Sequence, residues 1–321
     1  MDLNISVLGC GRWGTFIAWY VCGLNHKVTL WGRENSKGLA ELTETRKNQF
    51  LTLQDEMNLT SSLDEAISFG EYIVISISAQ QLRSLAKQIN EKNVEGKTFI
   101  LCMKGIESNT GKRLTQVFRE EVGYKCNLAI WVGPGHVQDF VEGIPNCMVI
   151  GSDNIEVTKK IADELSSDLI RFYYGQDLIG NEIGAAAKNV IGIAAGMLDG
   201  AGFGSLKGAL MARGAREVSK LVRAMGGNEL TAYGLSHLGD YEATLFSSHS
   251  NNRQFGEDYV KKNKFSKLAE GVATAQALEL LSKTYNVDLP ICNAINSIIG
   301  EQKEPKEILS NLFGRTRKFE F

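Results

Sequence analysis

The residues best placed to do chemistry stand at two points in the chain. The first is Gly9-Cys10-Gly11-Arg12-Trp13-Gly14, three glycines spaced G-x-G-x-x-G directly after an apolar run at 4–8 and directly before a helical pattern at 15–19. A chain that turns from strand to helix there needs Gly9 for the tight turn. It needs Gly11 so that no side chain blocks a pyrophosphate, and Gly14 so that the helix packs close to the strand. The free amides at the helix start then meet the phosphate charge. Glycine-rich turns also arise for structural reasons alone, and it is the strand before, the helix after and a second strand at 27–31 that make this one a dinucleotide cradle. That second strand ends Trp31-Gly32-Arg33-Glu34. An acid at this place binds the ribose hydroxyls of NAD, whereas an arginine suits a 2′-phosphate or stacks on adenine. Arg33 tilts the expectation slightly toward NADP, Glu34 keeps NAD open, and a solvated turn arginine is the plain alternative. The second point is Lys188, which follows three alanines and precedes Val190-Ile191, a poor setting for a surface lysine.

The elements that must position these residues read as follows. Apolar runs at 4–8, 27–31, 72–77, 98–102, 128–132, 147–151 and 169–173 have the length and β-branched content of strands, with helical patterns between them. Such alternation predicts βαβ units, a mostly parallel doubly wound sheet of Rossmann type, and helices on both faces. Past residue 177 strand-like runs vanish, and helices are expected from Gly184 onward, over 206–225 and over 269–285. The small residues of the first let backbones approach closely, so a compact helical bundle is expected. The boundary is placed at 176, giving a dinucleotide-binding domain at 1–176 and an all-α substrate and catalytic domain at 177–321. Pro134 and Pro145 flank the loop after the fifth strand, and Pro305 is expected to break the last helices.

Composition narrows the classes of function. The 321 residues carry a formal charge of −2, which argues against nucleic-acid binding, since that wants a basic face. None of the six cysteines forms a C-x-x-C pair, and most lie in apolar runs, so buried reduced thiols are expected. There is no His/Cys or carboxylate set with metal-ligand spacing, and no serine in G-x-S-x-G. No opening signal and no run of ~20 apolar residues is visible, so a cytoplasmic protein without membrane insertion is expected.

Several stretches in order along the chain resemble the glycerol-3-phosphate dehydrogenases. They are Gly9-x-Gly11-x-Trp13-Gly14-Thr15, Trp31-Gly32-Arg33, Met103-Lys104-Gly105-Ile106-Glu107, Gly133-Pro134 and Gly184-Ala185-Ala186-Ala187-Lys188-Asn189-Val190, followed by Leu210-Met211-Ala212-Arg213-Gly214, Leu238-Gly239-Asp240, Asn252-Arg253-Gln254-Phe255-Gly256 and Glu270-Gly271. The resemblance covers nearly the whole chain. It implies reversible hydride transfer between NAD(P)H and dihydroxyacetone phosphate, giving sn-glycerol 3-phosphate. Hydride attack on a ketone builds negative charge on its oxygen, so a cation must stabilise that charge and a proton must be delivered. The resemblance gives that work to Lys188, as general acid in reduction and base in oxidation. A lysine suits it if burial or a nearby cation lowers its pKa toward neutrality. It makes Lys104 a second lysine that contacts substrate near the nicotinamide, and Asp240 the aspartate that holds the lysine network. By itself Asp240 reads equally as a turn or cap residue, and Glu270 as an acid at a helix start. The implied cofactor contacts are Gly9, Gly11, Arg12, Trp13, Gly14, Arg33, Lys104, Val137, Asn251 and Glu270. The implied substrate contacts are Lys104, Gly133, Gly135, Lys188, Asp240, Ser250, Asn251 and Asn252. A homodimer and a lipid-precursor role are implied by resemblance alone.

The substrate-facing loops depart from the family pattern. The usual Ser-Arg-Asn-Arg reads Ser250-Asn251-Asn252-Arg253, so a phosphate-binding arginine is replaced by an asparagine that brings no charge and no bidentate fork. Arg253 is a candidate to compensate. Gly135 and His136 follow the Gly-Pro pair where serine or asparagine is usual, and Ser205-Leu206 stands for Asn-Thr. Gly234-Leu235-Ser236-His237 stands for Gly-Leu-Ala-Gly, and Tyr241 rather than leucine follows Asp240. His136 and His237 are therefore candidate substrate contacts. Two other readings stay open: a related dehydrogenase acting on a different small hydroxy or keto compound, and a dinucleotide-binding protein without catalysis.

Overall fold

The computed structural model describes residues 2–314 and 319. The end of the expected helical domain, at 315–318 and 320–321, lies outside the described residues, as does residue 1. The chain divides into two compact units, Met1–Lys104 with Arg113–Leu178, and Gly105–Lys112 with Ile179–Phe321. Residues 105–112 therefore go with the helical unit rather than with the strands on either side of them. The reason is burial: Ile106 is fully enclosed in the second core, and Gly111 sits against Leu281.

The first unit is built on eight strands: β1 (Asn4–Leu8), β2 (Lys27–Trp31), β3 (Asn58–Thr60), β4 (Tyr72–Ile75), β5 (Thr98–Leu101), β6 (Asn127–Val132), β7 (Asn146–Ser152) and β8 (Ile170–Gly175). They lie in the order β3-β2-β1-β4-β5-β6-β7-β8. Every pair is parallel except β6 with β7. The connection from β6 to β7 holds only the short helix α6 (Val137–Val141), too little for a crossover, so the strands run antiparallel. The sequence reading finds seven of the eight strands. It misses β3, whose three residues Asn58-Leu59-Thr60 contain a single apolar side chain and no run to detect. The remaining helices are α1 (Arg12–Gly23), α2 (Lys37–Thr45), α3 (Leu63–Phe69), α4 (Leu82–Asn90), α5 (Leu114–Val122) and α7 (Ile155–Leu165). Strands β4 and β5 are buried along their whole length, which requires cover on both faces of the sheet. Because β2 and β4 flank β1 on opposite sides, the strand order reverses between β1 and β4. In such sheets ligands bind beyond the carboxyl ends of the strands at that reversal.

The second unit is helical: α8 (Leu178–Ala201), α9 (Lys207–Ala224), α10 (Asn251–Lys261), α11 (Glu270–Tyr285), α12 (Pro290–Ile299) and α13 (Pro305–Phe313). Helix α8 is buried on all sides from Gly180 to Leu198, the pattern of a central rather than a surface helix. Its backbone is touched by its neighbours. A Cβ on Gly196 would lie 1.8 Å from the Arg253 carbonyl oxygen, and one on Gly256 would lie 2.1 Å from the Ile193 carbonyl oxygen. Pro305 does not break a helix but starts one, as does Pro290, because the first helical position has no use for the missing N–H. All six cysteines are free. Cys22, Cys126 and Cys292 are buried as expected, whereas Cys10, Cys102 and Cys147 are half-buried. Cys10 is open because it lies in the glycine turn itself, with its Sγ 3.1 Å from Ser36 Oγ.

One buried acid ties this unit together. Glu217 of α9 accepts hydrogen bonds from the backbone N–H groups of Ile291 and Cys292 at 2.9 and 3.0 Å, capping the start of α12. Burial pushes its pKa up from 4.5 to about 7. The folded state then holds the Glu217 proton more tightly than the unfolded chain does. This contribution is unchanged below pH 4.5 and turns increasingly unfavourable as pH rises through 4.5 toward 7. Glu217→Gln removes the titration. Its stability relative to the native chain, measured by urea unfolding, is expected to shift in the variant's favour by about 3 kcal/mol between those pH values. A difference independent of pH contradicts the assignment.

Candidate active site

The glycine turn begins where β1 ends. Gly9 has φ +122°, and a Cβ there would stand 2.2 Å from the Ser76 carbonyl oxygen beyond β4. A Cβ on Gly14 would stand 1.8 Å from the Gly9 carbonyl oxygen. Both glycines are thus required by the protein's own packing. Gly11 is different: it is exposed, and nothing lies within 4 Å of the place a Cβ would take. It forms the N-cap of α1 without any side-chain cap, and no acid stands in the first turn. The first amides and the positive end of the helix dipole are left for an anion, in a cradle that a side chain at Gly11 would fill. These residues fit a dinucleotide pyrophosphate. Arg12 lies half-buried, 5.8 Å from the Phe50 ring centroid, and burial lowers its pKa. Arg33 is exposed at the turn after β2 and makes no side-chain hydrogen bond or ion pair among the described residues.

A second set follows β5 and β6. Lys104 Nζ donates to the Gly133 carbonyl oxygen at 2.6 Å and lies 5.6 Å from the Trp13 ring centroid. Trp13 in turn meets Phe16 and Phe140 edge-on, at 5.5 and 6.3 Å between centroids. The structure therefore brings Trp13, Lys104 and Gly133 together at the carboxyl ends of the strands. Gly135 is explained by its backbone: φ is +133°, and a Cβ would lie 2.4 Å from the Phe140 ring. Val137 opens α6 and is buried.

In the helical unit, Lys188 and Asp240 form a buried ion pair with Nζ to Oδ2 at 2.5 Å, the side chains 7% and 1% exposed. Lys188 Nζ also donates to Thr244 Oγ1 at 2.8 Å. The expected aid for the lysine was burial or a nearby cation. Burial is present, but the charge at its side is an anion, which compensates the buried ammonium and aims it. Asp240 ends a short 3-10 turn at Leu238–Asp240, and Thr244 lies in the π-turn Glu242–Phe246. The sequence reading missed Thr244. The available signal was its place four residues past Asp240, the spacing that puts two side chains on one side of a helical turn.

The loop residues sort differently. Ser250 caps α10, its Oγ accepting from the Arg253 amide at 3.3 Å. Asn252 Oδ1 accepts from the Gly271 amide at 2.9 Å, next to Glu270, which opens α11. Asn251 Nδ2 donates to the Leu268 carbonyl oxygen at 3.3 Å. Arg253, the candidate to compensate for the arginine missing at 251, is paired with Asp199 and Glu257 at 2.8 and 2.9 Å and donates to the Ser247 carbonyl oxygen. His237 is not a substrate contact. It is fully buried, with Nδ1 2.8 Å from the Gly184 carbonyl oxygen and Nε2 2.7 Å from the Tyr241 hydroxyl. Burial lowers its pKa to about 4, so the ring is neutral. Among the described residues no group of His, Cys, Asp or Glu could hold a metal ion.

Comparison with known proteins bears on both units. Residues 4–158 match the family model for the N-terminus of NAD-dependent glycerol-3-phosphate dehydrogenase, and residues 177–310 match the model for its C-terminus. The chain belongs to this family. It is 35% identical to a glycerol-3-phosphate dehydrogenase [NAD(P)+] of Listeria innocua, with 99% of this chain and 98% of that protein covered. It is 34% identical to one from a Thermoanaerobacter species, with 99% of each covered. A crystal structure of the glycerol-3-phosphate dehydrogenase of Coxiella burnetii has the same fold, with a TM-score of 0.91 at 23% identity over 98% of this chain and 99% of that one.

The contrast between Gly9 and Gly11 is testable. Gly11→Val meets no protein atom and is expected to change folding stability by about 1 kcal/mol or less. It should lose most of the affinity for a nicotinamide dinucleotide, read by fluorescence titration. A variant that binds as tightly as the native chain contradicts the cradle.

Proposed function

We propose that this protein catalyses the reversible, NAD(P)H-dependent reduction of dihydroxyacetone phosphate to sn-glycerol 3-phosphate. The observation that carries the reading is the buried cluster of Lys188, Asp240 and Thr244 in a chain whose relatives are named for this activity. When bound, the cofactor supplies a hydride. The oxygen that becomes negative as the ketone is reduced needs a proton and a positive charge at one place, and the Lys188 ammonium offers both. Asp240 orients the ammonium and compensates its charge in a buried setting where it would otherwise be costly, and Thr244 holds it from a second direction. In the oxidative direction the same amine takes the proton back. Lys104, held by the Gly133 carbonyl, offers a second cation for substrate. Residues 1–176 serve the cofactor and residues 177–321 the proton transfer. A homodimer in the cytoplasm completes the reading, and no helix among the described residues is long and apolar enough to cross a membrane.

Arg33 supports NADP, because its exposed guanidinium has no partner among the described residues and suits a 2′-phosphate. The absence of arginine at 251, with Arg253 paired elsewhere, supports a second reading in which the substrate is a different small hydroxy or keto compound, phosphorylated or not.

Absorbance loss of NADPH and NADH with dihydroxyacetone phosphate tests the proposal. Turnover is expected, faster at low cofactor with NADPH. Lys188→Ala is expected to abolish it while dinucleotide binding persists, and Arg33→Ala to weaken NADPH and not NADH. Binding of NADPH without turnover of this ketone overturns the first reading, and turnover of other small ketones or keto acids then supports the second.

A further inference from the structure

Two residues that depart from the family pattern, His237 and Tyr241, turn out to be bonded to one another. We assign the proton of the neutral ring to Nδ1, which then donates to the Gly184 carbonyl at 2.8 Å. Nε2 is then an acceptor, and the Tyr241 hydroxyl donates to it at 2.7 Å. Both residues are fully buried, and their rings meet edge-on with centroids 4.8 Å apart. Gly184 lies four residues before Lys188 on α8, so it shares a face with the lysine. The segment that carries His237 and Tyr241 also carries Asp240, between them in sequence, and Thr244. Backbone bonds stiffen it: Asp240 N–H to the His237 carbonyl at 3.0 Å, and Thr244 N–H to the Tyr241 carbonyl at 3.1 Å. The fit at the helix is close, since a Cβ on Gly184 would lie 3.0 Å from His237 Cβ and one on Gly192 would lie 2.8 Å from Thr244 Cγ2.

We propose that His237 and Tyr241 are positioning residues, a buried clamp that fastens the Asp240 turn to α8 and thereby sets the separation between Asp240 and Lys188. The inference rests on the reading of Lys188 and Asp240 as the proton-transfer pair. Neither clamp residue touches the reacting atoms. His237 holds the turn to the helix one turn before Lys188, and Tyr241 fixes the ring that does so. An ion pair at hydrogen-bonding distance depends steeply on placement, and a shift of about 1 Å at such a site can slow a reaction by about a hundredfold.

The test uses the full-length protein with Tyr241→Phe, His237→Asn and His237→Ala. Tyr241→Phe removes one hydroxyl. His237→Asn keeps a donor for the Gly184 carbonyl but loses the acceptor for tyrosine, and His237→Ala loses both. Two readouts are taken. The first is kcat against KM for dihydroxyacetone phosphate, where Tyr241→Phe is expected to lower kcat roughly ten- to hundredfold with KM nearly unchanged. His237→Asn is expected to recover part of what His237→Ala loses. The second needs no substrate: solvent exchange of the Lys188 ammonium protons in 15N-lysine-labelled protein, the signal being assigned by its loss in Lys188→Arg. Exchange is expected to speed up at least about tenfold in Tyr241→Phe as the carboxylate loosens. Unchanged exchange in Tyr241→Phe and His237→Asn overturns the clamp, whatever the substrate. Failure of the native protein to turn over the ketone counts against the functional reading instead, and the exchange rates then decide the clamp alone.

Discussion

Everything in the helical unit is arranged around how closely other backbone can come to α8. An ordinary helix keeps its neighbours 8–10 Å away, axis to axis, because side chains stand between them. Here glycines at 184, 192, 196 and 200, repeating every fourth residue about Lys188, leave one stripe of the helix bare. The chain from His237 through Val260 lies along it, touching in turn Gly184, Gly192, Gly196 and Gly200. Asp240 and Thr244 stand within this close-lying segment, and their short side chains meet the ammonium of the lysine rooted in the helix. The stripe brings the segment that carries them against the helix, at Gly184 through His237 and at Gly192 through Thr244.

Burial then makes the pairing obligatory. A lysine with 7% of its side chain exposed cannot rely on water, and a carboxylate at 1% still less. Each makes the other tolerable, and removing one partner of such a pair typically destabilises by about 3–5 kcal/mol. A lysine fixed this way has a compensated charge and a set direction, and a proton donor to a forming alkoxide must be aimed. The dinucleotide unit shows the same economy of side chains. Gly9 and Gly14 are demanded by contacts at 2.2 and 1.8 Å, whereas Gly11 is bare for the sake of something outside the chain.

Much of this could be read from the sequence where a residue type has one strong physical reason to be where it is. The G-x-G-x-x-G turn after a strand is such a case, and so is a lysine set among alanines. What escaped had no local signal. Strand β3 is three residues long at a sheet edge. Residues 105–112 join the helical unit because Ile106 finds its core there, a fact of tertiary packing alone. Thr244 looks like any threonine until the turn before it is known. The polar residues were the least legible: Arg253 and His237 seemed free to meet substrate, but the fold uses Arg253 for Asp199 and Glu257 and buries His237 against Gly184. Pro305 carries the ordinary sign of a helix stop, yet its fixed φ serves as a start.

A mutant cycle on the pair at the centre of the site tests the account most directly: kcat of Lys188→Ala, of Asp240→Asn and of the double variant, with folding checked in each. If the two side chains act as one proton-delivering unit, the double variant loses little more activity than Lys188→Ala alone, because Asp240 then has no ammonium to orient. Losses that simply multiply, or a Lys188→Ala enzyme with near-native kcat, would contradict it.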